Sequence, residues 1–150
     1  MSSQVVLSTI GYEGLSLDEY LSRLRSAGVT LLCDVRRNPL SRKPGFSKKT
    51  LSQACARAGI RYEHMGQLGI DSAERKDLKT KADYDALFER YERDMLPRQS
   101  AAIDTIVAWM QSGESVALTC FERVAGQCHR RSVADAIARR VPAVTVQHIS

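Results

Sequence analysis

The sequence contains no apolar run that approaches the length of a membrane-spanning helix. Its opening stretch has no basic flank and no long apolar segment, so we expect no secretory signal. Cysteines are few, and the spacing of Cys33, Cys55, Cys120 and Cys128 is not that of a disulfide-stapled scaffold. We therefore expect free thiols and a cytoplasmic protein without membrane association.

Aromatic residues are also scarce. They make up 6% of the chain and are not interleaved with basic residues, which argues against a stacking platform for single-stranded nucleic acid. The turn after the first apolar run reads GYEG (Gly11–Gly14) rather than G-x-G-x-x-G, so a nicotinamide cofactor is not supported. We expect no cofactor.

The composition that is present is typical of one globular domain, which we assign to residues 1–150. Hydrophobic residues make up 43% and charged residues 26% of the chain, as in ordinary soluble proteins. The net charge of +5 favours a small anionic ligand, a nucleotide or a nucleic acid, although proteins without such partners often carry as much charge.

Apolar runs alternate with helical patterns along the chain. Strands that alternate with helices are typical of an α/β domain with a mainly parallel sheet. Right-handed crossovers favour a three-layer, Rossmann-like, doubly wound fold with five strands in the order 3-2-1-4-5. The predicted strands cover residues 5–10, 29–36, 60–65, the run from 115 to Cys120, and 143–149.

Capping signals mark the first two helices. Ser16 and Glu19 form a capping-box pattern, and Gly28 is placed to end that helix. Ser47 is a candidate N-cap for the second helix, and Gly59 would end it.

The middle of the chain predicts two further helices, over residues 83–96 and after Pro97. Residues 66–81 are charged and weakly patterned, which predicts a loop or a short exposed helix. One apolar stripe is typical of the core or of a homodimer face; it consists of Tyr84, Leu87, Phe88, Tyr91 and Met95.

Ligands of doubly wound sheets bind outside the carboxyl ends of the strands, where the winding reverses. The predicted topology brings four loops to that edge. We expect the functional site where they converge, and the loops are residues 11–14, 34–46, 66–70 and 120–128.

The last of these loops carries two thiols. Cys120 ends a predicted strand, and Cys128 stands where the final helix begins. A helix N-terminus and nearby cations favour a thiolate, so either cysteine is a candidate nucleophile, with Glu122 or Asp34 handling the proton. The alternatives are two inert buried thiols or a redox-responsive pair.

Zinc is a further alternative for this loop. Cys120, Cys128 and His129 are soft ligands, and Glu122 would supply a fourth. Structural zinc sites usually have closer cysteine pairs, and adjacent Cys–His ligands are unfavourable. The sequence therefore predicts no metal site.

Arginine forks match phosphate and carboxylate oxygens. Arg36, Arg42 and Arg130 are candidates for holding an anion, or for buried pairs with Asp34 or Glu122. The neighbouring basic residues are expected to form a solvated face, and these are Arg37, Lys43 and Arg131.

Four further residues are candidates for ligand contact. Gly11 and Tyr12 form the turn after the first strand, where a dinucleotide fold would hold phosphate; Tyr12 would stack on a base or cover the crevice. His129 stands beside Cys128. His64 ends the third strand and is a candidate acid or base, although a lone histidine is more often a structural group.

Four segments resemble the bacterial and archaeal family called domain of unknown function 488: STIGYEG, DVRRNPLSRKPGF, YEHMGQLG and CFERVAGQCHRR. The resemblance runs nearly end to end and implies a Rossmann-like domain whose activity is not established. The chain departs from the family at Ala125, where many members have proline, and at Ile70, where a second glycine is frequent. The motif positions fall on Gly11, Asp34, Arg36, Pro39, Ser41, Arg42, Phe46, Tyr62, His64, Leu68, Gly69, Cys120, Glu122, Cys128, His129 and Arg130.

These patterns favour an enzymatic, anion-binding site that acts on a phosphorylated small molecule, a nucleotide or a nucleic-acid end. The alternative is a non-catalytic binding module that uses the same arginines without thiol chemistry. A weaker alternative is a redox-responsive protein built on Cys120 and Cys128.

Overall fold

The computed structural model describes residues 5–70, 74, 78–121 and 128–149. Within these ranges the strands form one parallel sheet with helices packed on it, which confirms the predicted α/β class. The strands are β1 (Val5–Gly11), β2 (Leu31–Asp34), β3 (Arg61–His64), β4 (Val116–Cys120) and β5 (Val144–Ile149). The helices are α1 (Leu17–Ser26), α2 (Lys48–Arg57), α3 (Lys81–Arg90), α4 (Ser100–Gln111) and α5 (Arg130–Arg140).

The strands lie in the order β3-β2-β4-β1-β5, and each observed pair is parallel. The predicted order 3-2-1-4-5 has the correct edge strands and keeps β1 beside β4, but it exchanges these two. Both are apolar runs buried on two faces, so their composition does not show which one is central. The crossovers from β1 to β2 and from β3 to β4 each pass over one strand.

Alternate residues of each strand point to opposite faces of the sheet and build two cores. On β2, Leu31 and Cys33 belong to one core and Leu32 to the other. The helices α1 and α2 cover the Leu32 face, and α3, α4 and α5 cover the opposite face. The central strand β4 contributes fully buried residues to both cores, Leu118 to one and Ala117 to the other.

The predicted capping box starts α1. The Ser16 hydroxyl accepts a hydrogen bond from the Glu19 nitrogen at 3.1 Å, and the Glu19 carboxylate accepts one from the Ser16 nitrogen at 3.1 Å. Gly28 follows the helix in the left-handed region, with φ of 73°. Both helix boundaries therefore agree with the sequence pattern.

Ser47 occupies the N-cap position of α2 as predicted, but its side chain does not cap the helix. Instead its hydroxyl accepts a hydrogen bond from the Ser41 nitrogen at 3.0 Å and donates one to the Ser41 carbonyl at 3.2 Å. The residue that starts the helix thus also anchors the loop that precedes it.

The helix predicted over residues 83–96 begins earlier, because Thr80 forms a capping box with Asp83. It continues beyond α3 as a π-helical turn (Tyr91–Met95) and a 3-10 turn (Leu96–Gln99) that leads into α4. Leu87 and Tyr91 of the apolar stripe are buried in the core against α5. None of the described helices is long and apolar enough to cross a membrane.

Candidate active-site cleft

A cleft of about 360 Å³ opens at the carboxyl ends of the strands. The predicted loops meet there: Tyr12 follows β1, Arg37 follows β2, Ile70 follows β3, and Phe121 follows β4. The exchange of β1 and β4 does not disturb this convergence, because the two strands remain neighbours with the same direction. It places Cys120, at the end of β4, between the loops of β1 and β2.

The crevice arises because the chain leaves neighbouring strands in opposite directions. After β1 and β2 the chain runs to α1 and α2 on one face of the sheet, whereas after β4 it runs to α5 on the other. Loops that diverge in this way leave an opening above the strand ends. The central strand β4 has such an opening on both sides.

A buried ion pair forms the base of the β2 loop. Asp34 accepts hydrogen bonds from Arg36 Nε at 2.8 Å and from Nη2 at 2.6 Å, and both residues are buried. Arg36 Nη1 donates to the Phe46 carbonyl at 2.6 Å and to the Tyr12 hydroxyl at 3.2 Å. Burial alone would lower the pKa of Arg36, but the bonds to Asp34 raise it, so the guanidinium stays charged.

The sequence predicted that Arg36 either holds an anion or forms a buried pair. In the structure Arg36 forms the buried pair with Asp34. The carboxylate of Asp34 also accepts the Tyr62 hydroxyl at 2.5 Å. Burial and the nearby carboxylate raise the pKa of Tyr62, so this hydroxyl remains a donor. Asp34 does not line the cleft, which leaves it a structural anchor rather than a group placed to transfer a proton.

The His64 side chain holds the same loop by a hydrogen bond to the loop backbone. Its Nε2 atom donates a hydrogen bond to the Arg36 carbonyl at 2.8 Å. Gly11 pairs with Cys120 at the ends of β1 and β4, and the next residue, Tyr12, donates its backbone N–H to the Cys120 carbonyl at 3.3 Å. These two predicted ligand contacts, His64 and Gly11, thus position the cleft walls.

Arg37 and Arg42 are the exposed cations of the cleft. Both line it, and neither forms a hydrogen bond or ion pair with the residues that the structure describes. The described lining contains no carboxylate, and the charge of Arg36 is balanced by Asp34. The described lining of the cleft therefore carries a net positive charge.

The rim of the cleft is apolar. Leu40 is 72% exposed and Phe121 is 46% exposed. The Phe121 ring meets the Tyr12 ring edge to face at 5.3 Å, and Tyr12 stacks on Phe46 at 4.5 Å. An apolar rim beside two unpaired arginines suits a ligand that has both an anionic and an apolar part.

Three soft side chains meet at the junction of β4 and α5. The ligand atoms of Cys120, Cys128 and His129 all lie within 4.8 Å of one another, and the three residues are buried. The two sulfurs are in bonding contact, as in a disulfide, so the expectation of free thiols is wrong for Cys120 and Cys128 and holds for Cys33 and Cys55. Arg130 donates to the bonded sulfurs, from Nη1 to Cys120 Sγ at 3.4 Å and from its backbone N–H to Cys128 Sγ at 3.5 Å. Glu122 lies outside the described residues.

The other two cysteines are remote from this chemistry. Cys33 and Cys55 are free, buried thiols in the two cores. Burial raises the pKa of Cys55 to about 12, and burial also raises the pKa of Cys33. Neither thiol forms a thiolate near neutral pH, so both are packing residues.

Comparison with known proteins gives one family match. The model of the family described as "Domain of unknown function DUF488" matches residues 16–137. The chain belongs to the DUF488 family. No curated protein matches it. A "Putative phosphatase (DUF442)" from Shewanella putrefaciens CN-32 has 16% identity and a TM-score of 0.47, over 95% of this chain and 68% of that chain. A similarity this low carries no functional information.

The DUF488 resemblance is thus confirmed by the match over residues 16–137. The sequence reasoning missed Arg37, which it assigned to a solvated face, and the rim residues Leu40 and Phe121. One signal was available for Arg37. Arg37 follows Arg36, for which the sequence offers a buried pair with Asp34. Because adjacent residues of an extended segment point in opposite directions, Arg37 would then point outward.

Gly69 of the DUF488 chain is required by a close approach. A Cβ atom there would lie 2.2 Å from the Arg37 nitrogen and 2.5 Å from the Arg37 Cα. Gly69→Ala is therefore expected to displace the β2 loop and to destabilise the protein by about 1–3 kcal/mol. Urea denaturation measures the stability, and amide NMR shifts of residues 36–42 report the displacement.

Gly28→Ala is the comparison variant. Gly28 has φ of 73° and no atom within 4 Å of its added Cβ, so only local backbone strain is expected. It should lower stability while leaving the amide shifts of residues 36–42 unchanged. Equal shifts of that loop in both variants would contradict the role assigned to Gly69.

Proposed function

We propose that this DUF488 protein is an enzyme whose cleft binds the phosphate of a small molecule, a nucleotide or a nucleic-acid end. The observation that carries the proposal is the pair Arg37 and Arg42. Both are exposed and unpaired in a cleft whose described lining has no carboxylate and whose floor contains the Cys120 sulfur.

Charge and shape favour phosphate over smaller anions. Two guanidinium groups match the several oxygens of a phosphate, and each forms charge-assisted hydrogen bonds worth about 1.5–3 kcal/mol. Preorganisation supports binding, because hydrogen bonds to Ser47 and His64 already hold the loop that carries both arginines.

The apolar rim favours an organic phosphate over inorganic phosphate. Leu40 and the half-exposed ring of Phe121 offer a surface on which a planar or apolar group can pack. A nucleotide combines such a group with the phosphate that the arginines require. We therefore favour a nucleotide or a nucleotide-like compound among the three ligand classes.

The reacting end of the ligand would face Cys120 and His129, which line the cleft. Arg130 Nη1 lies 3.4 Å from the Cys120 sulfur, and in the reduced protein it would donate a hydrogen bond to that sulfur. This sulfur is the reason to propose an enzyme rather than a non-catalytic binding module. The module remains the second candidate, because the arginines and the rim alone suffice for binding.

The proposed compartment is the reducing cytoplasm, which suits the buried free thiols Cys33 and Cys55. The proposed partner is the small anionic ligand itself.

Arg37→Ala and Arg42→Ala are each expected to weaken binding of AMP by about tenfold to a hundredfold, since each removes charge-assisted bonds to the phosphate. Isothermal titration calorimetry with AMP and with inorganic phosphate measures both affinities. AMP should bind more tightly than inorganic phosphate, because only AMP contacts the rim.

Arg25→Ala is the matched control. Arg25 is an exposed arginine in the last turn of α1, at the opposite end of the sheet from the cleft. The Arg25→Ala substitution lowers the net charge by the same amount as the other two. Equal losses of affinity in all three variants would therefore show that only the overall charge matters, and they would refute the assigned site.

A further inference from the structure

We propose that Cys120, Cys128 and His129 bind a zinc ion, with the Cys120 and Cys128 sulfurs and His129 Nδ1 as ligands. Their ligand atoms lie within 4.8 Å of one another in a buried pocket at the start of α5. Two thiolates and one imidazole are the donor set that zinc prefers. The proposal deepens the proposed function and rests on it only for the role of the metal, not for its binding.

The hydrogen bond of His129 prepares it as a ligand. Its Nε2 atom lies 2.8 Å from the Val35 carbonyl, which can only accept, so Nε2 carries the proton. In the neutral ring Nδ1 is then the unprotonated nitrogen, and it lies 3.7 Å from the Cys128 sulfur. A backbone carbonyl that orients the second ring nitrogen is the usual support of a metal-bound histidine.

One pair of ligand atoms already has the spacing of tetrahedral zinc, whereas the two sulfurs, which are in bonding contact, have to be reduced and to separate before both can bind the metal. Zn–S and Zn–N bonds of about 2.3 and 2.0–2.1 Å at a tetrahedral angle separate sulfur and nitrogen by about 3.6 Å. Cys128 Sγ and His129 Nδ1 are 3.7 Å apart. The Cα atoms of Cys120 and Cys128 are 7.3 Å apart. Disulfide-linked cysteines usually have Cα atoms about 4.4–6.8 Å apart, so this separation suits two metal ligands better.

The surroundings of the sulfurs are those of bound thiolates. Arg130 is fully buried, and it donates one hydrogen bond to each sulfur, at 3.4 Å to Cys120 and 3.5 Å to Cys128. Donors aimed at sulfur stabilise its negative charge.

The proposal departs from the sequence expectation of no metal site for a structural reason. It rested on the seven residues between the cysteines and on the adjacency of Cys128 and His129. The fold closes that gap, because β4 ends beside the first turn of α5. Adjacency is no obstacle, because both side chains point toward Cys120.

The part of the chain that the structure describes supplies three ligands, which is the protein ligand count of catalytic zinc sites. Cys120 and His129 also line the cleft that contains Arg37 and Arg42. A fourth ligand that approached from the cleft would be a water or the phosphate held by the arginines. The zinc would act there as a Lewis acid.

The test is the metal content of the full chain, purified in reductant without chelator and measured by mass spectrometry of the elements. We expect about one zinc per chain, and X-ray absorption should show two sulfur ligands and at least one nitrogen. Cys128→Ser and His129→Ala should lower the content at least tenfold. Cys55→Ala, which removes a buried thiol of the opposite core, should leave it unchanged.

If the variants fail to fold, the metal content and the X-ray absorption spectrum of the wild-type protein still decide the test. A wild-type chain that holds no zinc and takes up none from added zinc sulfate overturns the proposal, as does a metal-free Cys120–Cys128 disulfide that persists in reductant. Titration with AMP separates the two proposals. A wild-type chain that binds AMP but holds no zinc refutes only the metal site, whereas a wild-type chain that holds zinc but does not bind AMP refutes only the proposed function.

Discussion

Asp34→Asn is expected to lower the free energy of unfolding by about 3–5 kcal/mol, since it breaks a buried ion pair from one side. Asp34 is fully buried and accepts two side-chain hydrogen bonds from Arg36. The substituted amide keeps the shape but places an NH₂ group against guanidinium donors. Arg36 then remains charged in the protein interior with no carboxylate to balance it. Urea denaturation followed by circular dichroism measures the change.

Glu63→Gln is the matched control, since it makes the same chemical change in an exposed pair. Arg61 and Glu63 are 2.8 Å apart, and their side chains are 51% and 34% exposed. Exposed pairs contribute about 0–1 kcal/mol, so this variant should be nearly as stable as the wild type. A difference of less than about 1 kcal/mol between the two variants would show that the buried pair does not hold the fold.

A double replacement separates the ion pair from the space it fills. Asp34→Leu with Arg36→Met removes both charges and keeps apolar volume, so it should recover part of the stability lost in Asp34→Asn. It should nevertheless weaken AMP binding, because the bonds from Arg36 to Phe46 and Tyr12 that shape the cleft wall are gone. Stability and binding would then respond in opposite directions.

The fold class was predictable because its signals are local. The capping box at Ser16 and the left-handed turn at Gly28 act within a few residues, and each lies where the pattern predicts it. The convergence of the loops was also predictable, since the carboxyl ends of parallel strands share one edge of the sheet. It survives the exchange of β1 and β4, because both strands keep the same direction.

What the sequence could not predict depends on contacts between distant segments. Whether Arg36 or Arg37 faces solvent is decided by Asp34 and by Phe46, whose carbonyl takes one of the guanidinium donors. Of the proposed zinc ligands, Cys120 is separated along the chain from Cys128 and His129, and it meets them because β4 ends beside the start of α5. Spacing rules describe sites within one short loop, so they do not apply to a site assembled by tertiary structure.

Most motif residues of the family shape the cleft rather than face it. Tyr62 bonds to Asp34, His64 bonds to the Arg36 carbonyl, and Gly69 makes room for the Arg37 backbone. Their shared effect is to fix the loop that presents the exposed arginines. The motif therefore encodes a loop held in place by several contacts, and a loop held in this way would be preorganised for the proposed anion binding.

Phe46→Ala is expected to cost about 3–5 kcal/mol of stability, the usual loss for a buried phenylalanine. Phe46 is fully buried, stacks on Tyr12 at 4.5 Å and meets Tyr20 edge to face at 5.2 Å. It also directly precedes the N-cap of α2 and shares a core with Leu51, the arrangement of a hydrophobic staple. One ring thus supports the helix start and the cleft wall.

Phe121→Ala makes the same change in a ring that also touches Tyr12 but is 46% exposed. The substitution should lower the free energy of unfolding by less than about 1 kcal/mol. The variant should nevertheless bind AMP more weakly, because the rim loses its aromatic surface. Phe46→Leu should recover most of the stability lost in Phe46→Ala, since apolar volume fills the site. If Phe121→Ala were as destabilising as Phe46→Ala, or bound AMP like the wild type, the division of these two rings into a support and a ligand surface would be wrong.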